Sequence, residues 1–341
     1  MRHRHPPQQP GWIDRPHRFL EIGDLPLENG QRIADCSLCY VEHGTANHDR
    51  SNAVLALSAI GSTHHRLDAW IGPGRALDTD RWWIICVDAL GNGLSSSPST
   101  SERQPGLAFP RFTIRDMVAS QRRLLDHLAI GQLRAVVGAS MGGMQALQWA
   151  VSHPARMQCD IALVPMARTS PWSRAINEVG RRLLTSHPDW WAEESAEAWI
   201  GWTALMRLVA SRTPQALARQ YAKPDDFAPG LATLDASRAA AGLSAVDWVY
   251  QSFAYDTHDV GLTPGFDGDL GRALATVRAR TLIAVPPLDL YNPVEAGREA
   301  AALIPGCELV EIPSIAGHQA AGGTEAAETA FLDAAMRRFL A

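Results

Sequence analysis

Val136-Val137-Gly138-Ala139-Ser140-Met141-Gly142-Gly143 is the stretch from which the rest of the chain is read. An apolar run from Ala135 to Val137 enters a Gly-x-Ser-x-Gly pentapeptide, and Met144, Leu147 and Ala150 continue beyond it at helical spacing. A strand, a sharp turn and a helix are therefore expected, with the Ser140 hydroxyl held out at the edge of a sheet. Gly138 and Gly142 carry no Cβ, so strand and helix can close around a strained serine backbone. The N-terminus of that helix offers unpaired N–H groups and the positive end of a dipole, suited to a developing anion. Ser140 is thus a candidate nucleophile.

Outward from this turn the chain alternates strand and helix. Asn52 to Ser58 and Arg81 to Val87 are short apolar runs of the kind buried on both faces of a sheet. Asp160 to Met166, Arg280 to Pro286 and Glu308 to Ile312 read as later strands, and a closing helix is expected from about Glu325 to Leu340. Thr113-Ile114-Arg115-Asp116 resembles a capping box with Asp in the place of Glu, and opens a helix. Phe19 to Arg32 and Ala34 to Glu42 look like an antiparallel pair about the Asn29-Gly30 turn. This order predicts an α/β fold: a mostly parallel, doubly wound sheet with helices on both faces. From Arg168 to Leu270 the pattern is helical and rich in tryptophan, and too long for an ordinary connection. We read 168–270 as an inserted α-helical cap, 18–167 and 271–341 as the core, and 1–17 as a disordered lead-in. The cap tryptophans, Trp202 among them, are expected in its core or a subunit interface, or along a tunnel to Ser140.

Bulk properties narrow the function. The 341 residues carry a net charge of −5, which gives no basic footprint for nucleic acid. No apolar run is long enough to span a bilayer, and Met1 to Pro10 is polar and proline-rich without the apolar core of a secretion signal. The five cysteines are odd in number and irregular in spacing, so no disulfide framework is expected and a reducing cytoplasm fits best. Cys36-Ser37-Leu38-Cys39 has metal-type spacing but no second ligand pair, and is read as structural. His64 and His65 likewise lack a third and fourth ligand, and are expected at the surface or pocket rim. No metal and no cofactor is expected.

A serine needs a base within hydrogen-bond reach, and the base needs an orienting carboxylate. In α/β-hydrolase folds these follow in the order Ser, Asp or Glu, His, each after a strand. Asp289 follows the Arg280–Pro286 run, and His318, in Gly317-His318-Gln319, follows Glu308–Ile312. Ser140, Asp289 and His318 are therefore the expected triad. One oxyanion donor is the N–H of Met141, and the second belongs to the loop after Ser58, at Ala59 or Ile60. His258, between Asp256 and Asp259, is read as a structural histidine or a pocket residue.

Three strings carry a resemblance: Ile71-Gly72-Pro73-Gly74-Arg75-Ala76-Leu77-Asp78-Thr79-Asp80-Arg81, Phe112-Thr113-Ile114-Arg115-Asp116-Met117-Val118, and Gly138 to Leu147. With Asn177 to Arg181 and the Gly317-His318 loop, they resemble the homoserine O-acetyltransferase family of α/β-hydrolases. That resemblance implies a helical cap, dimerisation through it, and an acyl-enzyme on Ser140, with Asp289 and His318 at the family's triad positions.

The departures concern the acyl acceptor. Where the family has His-Ala-Leu-Thr-Gly, this chain reads Leu57-Ser58-Ala59-Ile60-Gly61. Met206 stands where a cap arginine helps hold the acceptor's carboxylate, with Arg207 one position later. Gln319 stands where an aspartate meets its ammonium. Burying either charge of homoserine without a partner costs several kcal/mol. The expected function is therefore a serine hydrolase of carboxylic esters with small acyl groups, water being the acceptor. The alternative is acyl-CoA-dependent transfer to homoserine or a related alcohol. Arg181, Trp202, Met206, Arg207 and Gln319 are the expected substrate-pocket residues, the substrate a small ester, and the assembly a homodimer.

Overall fold

A computed structural model describes residues 5–192, 195–240 and 242–341, with the backbone alone at 235–240. Its strands are β1 (Arg18–Pro26), β2 (Arg32–His43), β3 (Ala53–Leu57), β4 (Trp83–Val87), β5 (Leu133–Ala139), β6 (Met157–Leu163), β7 (Arg280–Val285) and β8 (Glu308–Glu311). They form one sheet in the order β1-β2-β4-β3-β5-β6-β7-β8. β1 and β2 are the expected antiparallel hairpin, and β2 runs antiparallel to β4. Every later pairing is parallel. The apolar runs explain this: every residue of β3 and β4 is buried, as strands covered on both faces require.

Side chains alternate between two cores. On β3, Leu55 and Leu57 face one and Val54 and Ala56 the other. The first core is covered by α1 (Ile114–His127), α2 (Met141–Ser152), α8 (Leu270–Leu274) and α9 (Val294–Leu303). The second is covered by α10 (Ala326–Leu340) and the 3₁₀ turn His64–Trp70. Thr113 caps α1 in the expected box, its side chain accepting from the Asp116 N–H while Asp116 accepts in return. Between β6 and β7 the inserted cap comprises α3 (Pro171–Leu184), α4 (Ala196–Thr203), a π-helical turn (Ala204–Ala210), α5 (Pro214–Gln220), α6 (Phe227–Ala240) and α7 (Ala245–Asp256).

Strand order reverses between β3 and β5, with β4 on one side and β6 on the other. Loops leaving these two strands diverge to opposite faces and open a crevice at their carboxyl ends. Ser140 and the loop after Ser58 both lie there. Among the described residues no helix is long and apolar enough to cross a membrane.

Two expectations are corrected. The strand expected over Asp160 to Met166 runs from Met157 to Leu163, because Val164 takes a left-handed backbone (φ 46°) that ends it. The lead-in, expected to be disordered, is held to the core at Trp12 and Ile13. Trp12 stacks on His65 with ring centres 4.1 Å apart, and the Ile13 N–H donates to Asp68 Oδ2 at 2.7 Å. Both partners lie more than 50 positions along the chain, so local composition gave no sign of them.

Candidate active site

Ser140 sits between β5 and α2 with φ 58° and ψ −123°, a left-handed backbone rarely taken by a residue with a side chain. Such a conformation costs about 1–3 kcal/mol and persists only where its surroundings over-determine it. Here the Ser140 N–H donates to Leu163 O at 2.9 Å, and its carbonyl accepts from the Met144 N–H at 3.0 Å. The flanking glycines allow the close approach. A Cβ on Gly138 would strike the Gly142 carbonyl, and one on Gly142 would lie 2.6 Å from Leu57 O.

The three triad candidates converge. His318 lies in a short 3₁₀ turn (Gly317–Ala321) rather than an open loop, with its Nε2 2.8 Å from Ser140 Oγ. Its Nδ1 is 2.7 Å from Asp289 Oδ2. The Ser140 hydroxyl can then donate to Nε2 while Nδ1–H donates to the carboxylate. Asp289 is itself fixed, since Oδ1 accepts from the Tyr291 and Asn292 N–H groups at 2.8 and 2.9 Å. Asn292 Nδ2 donates to Val164 O at 2.6 Å and ties this loop to the end of β6. The left-handed turn at Val164 thus presents the carbonyl that anchors the carboxylate's loop.

For the oxyanion, Met141 heads α2, and its N–H has no acceptor among the described residues. The Ala59 N–H donates to Ser62 Oγ at 2.8 Å, as the loop folds into a tight turn closed by that hydroxyl. The Ile60 N–H has no acceptor among the described residues. The loop is held against α2 by Gln145, whose Nε2 donates to Ser58 O at 2.9 Å. Gln121 donates to Gln145 Oε1 at 2.6 Å and accepts from the Trp149 indole at 2.7 Å. Sequence reading missed this brace, because its three members come from two helices, Gln121 from α1 and Gln145 and Trp149 from α2.

Ser140 is 4% exposed at the base of a pocket of about 420 Å³ that runs beneath the cap. Trp202, Met206, Arg207 and Gln319 line it, with Ile60 and Trp248. Trp202 meets Trp199 and Trp248 edge-on at 5.1 and 5.3 Å, so it serves cap core and pocket wall together. Met206 and Arg207 both reach the pocket from the π-helical turn. Burial and, after it, the neighbouring Arg212 lower Arg207 from the usual arginine value. Arg66 and Arg212 also line the pocket, and among its described lining residues there is no Asp or Glu.

Arg181 is corrected. It is buried outside this pocket, where its guanidinium pairs with Asp256 at 2.6 Å and lies 4.5 Å from the Phe253 ring centre. A buried cation needs such a partner, and Asp256 supplies it from α7. Its link to the site is indirect. Asp256 accepts from Asn177 at 2.8 Å, Asn177 accepts from the Tyr291 hydroxyl at 2.6 Å, and Tyr291 packs edge-on to His318. His258 is structural: its Nε2 meets Met166 O at 3.1 Å, and burial pushes its pKa down to about 3, so it is neutral. Cys36 and Cys39 are buried free thiols on β2.

Residues 52–198 match the model of the alpha/beta hydrolase fold family. A homoserine O-acetyltransferase from Symbiobacterium thermophilum is 32% identical over a match covering 87% of each chain. The chain spans less than two thirds of the first curated relatives it matches, 40% and 62% of the first two. Among solved structures, the acetyl esterase MekB is 30% identical with a TM-score of 0.88, and the match covers 95% of this chain and 96% of that one. An acetylester hydrolase from Corynebacterium glutamicum is 28% identical with a TM-score of 0.87 over the same shares. Fold and kinship are those of α/β-hydrolases. This chain belongs to the homoserine O-acetyltransferase family of α/β-hydrolases.

Proposed function

We propose that the protein hydrolyses carboxylic esters of small acyl groups through an acyl-enzyme on Ser140. The observation that carries this reading is the absence of any Asp or Glu among the described residues lining the pocket. An acceptor with an ammonium group would be desolvated there without an anionic partner, which costs several kcal/mol. Water needs no such partner.

In this reading Ser140 Oγ attacks the ester carbonyl as His318 Nε2 takes its proton. Asp289 holds the imidazolium, and the Met141 and Ile60 N–H groups receive the oxyanion. Loss of one such donor costs about 2.7–4 kcal/mol of transition-state stabilisation. The tetrahedral adduct collapses, the C–O bond breaks, and the leaving alkoxide takes the proton from His318. Water then repeats the sequence on the acyl-enzyme, with His318 again as base, and releases the acid. Ser140 should react with a fluorophosphonate probe and Ser140→Ala should not; an unreactive wild-type protein would remove the basis of this reading.

A second reading is acyl transfer to homoserine, and curated relatives that are homoserine O-acetyltransferases favour it over hydrolysis. Arg207 in the pocket is the feature that supports it, as a cation for the acceptor's carboxylate. The acceptor's ammonium still meets Gln319. A homodimer through the cap belongs to the same proposal, since Val179, Ile200 and Val209 leave apolar surface exposed there. Sedimentation at the monomer mass would reject that part.

A further inference from the structure

The packed N-terminal segment brings a third and a fourth histidine to the pair after β3. Ligand atoms of His5, His17 and His64 all lie within 4.8 Å of one another. His17 and His64 have ring centres 4.9 Å apart, and His5 lies 5.3 Å from His64 and 5.1 Å from His65. His5 Nε2 is 3.0 Å from His65 Nε2. These residues come from three separate places in the chain, so helical or strand periodicity does not account for their meeting.

The two core histidines are prepared as ligands. His64 Nδ1 is hydrogen-bonded to Asp88 Oδ2 at 2.8 Å, and His65 Nδ1 to Asp68 Oδ2 at 2.7 Å. A carboxylate on one ring nitrogen fixes the tautomer, orients the ring and makes the other nitrogen a better donor to a metal. His64 is 3% exposed, and its Nε2 has no hydrogen-bond partner among the described residues. A buried ring nitrogen left in this state is costly, and His5 and His17 bring ring nitrogens within 4.8 Å of one on His64.

The geometry points to a transition-metal site formed by His5, His17 and His64, with His65 in reach as a fourth ligand. Imidazole nitrogen suits borderline divalent ions, of which zinc is the commonest with such ligands. Tetrahedral zinc holds nitrogens at about 2.0–2.1 Å from the ion, roughly 3.3 Å from each other. Half-buried His5 and His17 close that difference by side-chain rotation. The ion would act as a clip. Pro6, Gln9 and Trp12 line the same pocket as Ser140, so fastening His5 and His17 to the core fixes one wall of the substrate channel. The inference stands on the histidine cluster alone and is independent of what Ser140 does.

The test uses the full chain without a histidine tag, loaded with Zn²⁺ or Co²⁺ and passed through a desalting column. About one equivalent should remain, and the cobalt form should show the intense visible bands of four-coordinate nitrogen ligation. His17→Ala and His5→Ala, both outside the buried core, should keep the wild-type circular dichroism and bind the metal at least about ten-fold more weakly. Retention below about a tenth of an equivalent overturns the proposal, as does unchanged affinity in both variants.

Discussion

His318 Nε2 lies 2.8 Å from Ser140 Oγ across 178 positions of sequence, and the whole inserted cap is looped out between them. The pair depends on β5 and the β7–β8 end of the sheet being held in register, so the reacting atoms inherit the rigidity of the core. Asp289→Asn tests this most simply. Its Oδ1 stays with the Tyr291 and Asn292 N–H groups, so Nδ2 takes the place of Oδ2 and donates to Nδ1, holding the imidazole in the wrong tautomer. Turnover of p-nitrophenyl acetate should fall by roughly 10³–10⁴-fold while thermal stability changes little. A fall of only a few-fold would mean that Asp289 does not orient the base.

Gly142 is set by what lies above it. A Cβ there would lie 2.6 Å from Leu57 O and 3.2 Å from Ser58 O, both backbone atoms of the strand end that carries the oxyanion loop. Gly142→Ala should push α2 from β3, lowering stability by at least about 1–3 kcal/mol and moving the Met141 and Ile60 N–H groups apart. Denaturant unfolding and kcat should both register it. Unchanged values would show that the loop has room to shift.

Asp160 on β6 is fully buried, and neither carboxylate oxygen has a hydrogen-bond partner among the described residues. Burial alone pushes its pKa up from 3.8 to about 8. The folded state therefore holds a proton that the unfolded chain releases near pH 4. This contribution is complete at acid pH and is lost as pH rises toward 8, with a slope approaching about 1.4 kcal/mol per pH unit. Asp160→Asn should remove that slope, so the stability difference between variant and wild type shifts in the variant's favour from pH 5 to pH 8. Parallel curves would mean that Asp160 is ionised and paired in solution.

Gln319 faces the pocket where a carboxylate would be needed for an ammonium. Gln319→Asp supplies one, with Arg207 already present for the acceptor's carboxylate. If the proposed reason for hydrolysis is right, O-acetylhomoserine formation relative to hydrolysis should rise about ten-fold or more, equivalent to about 1.4 kcal/mol. No change in that ratio would move the cause of acceptor choice elsewhere in the pocket.

Much of this was legible because the signals were local. The Asn29-Gly30 hairpin, the Thr113–Asp116 box and the strand–Ser140–helix turn each needed only neighbouring residues, and the triad followed from its order after successive strands. What escaped was long-range. Arg181 was drawn from the pocket by Asp256, a residue 75 positions away. The histidine cluster was invisible for the same reason. Its third member needed a lead-in whose docking on Asp68 and His65 has no local signature.

The central claim concerns the fate of one acyl-enzyme. Purified protein would be supplied with p-nitrophenyl acetate or acetyl-CoA, with and without millimolar homoserine, and with Ser140→Ala as control. Acid release and O-acetylhomoserine would be measured together. The account predicts turnover that depends on Ser140, proceeds without acceptor, and is unchanged in rate and product by homoserine. Faster turnover with O-acetylhomoserine as the main product would contradict it, and would make the protein a transferase whose acceptor is held by Arg207.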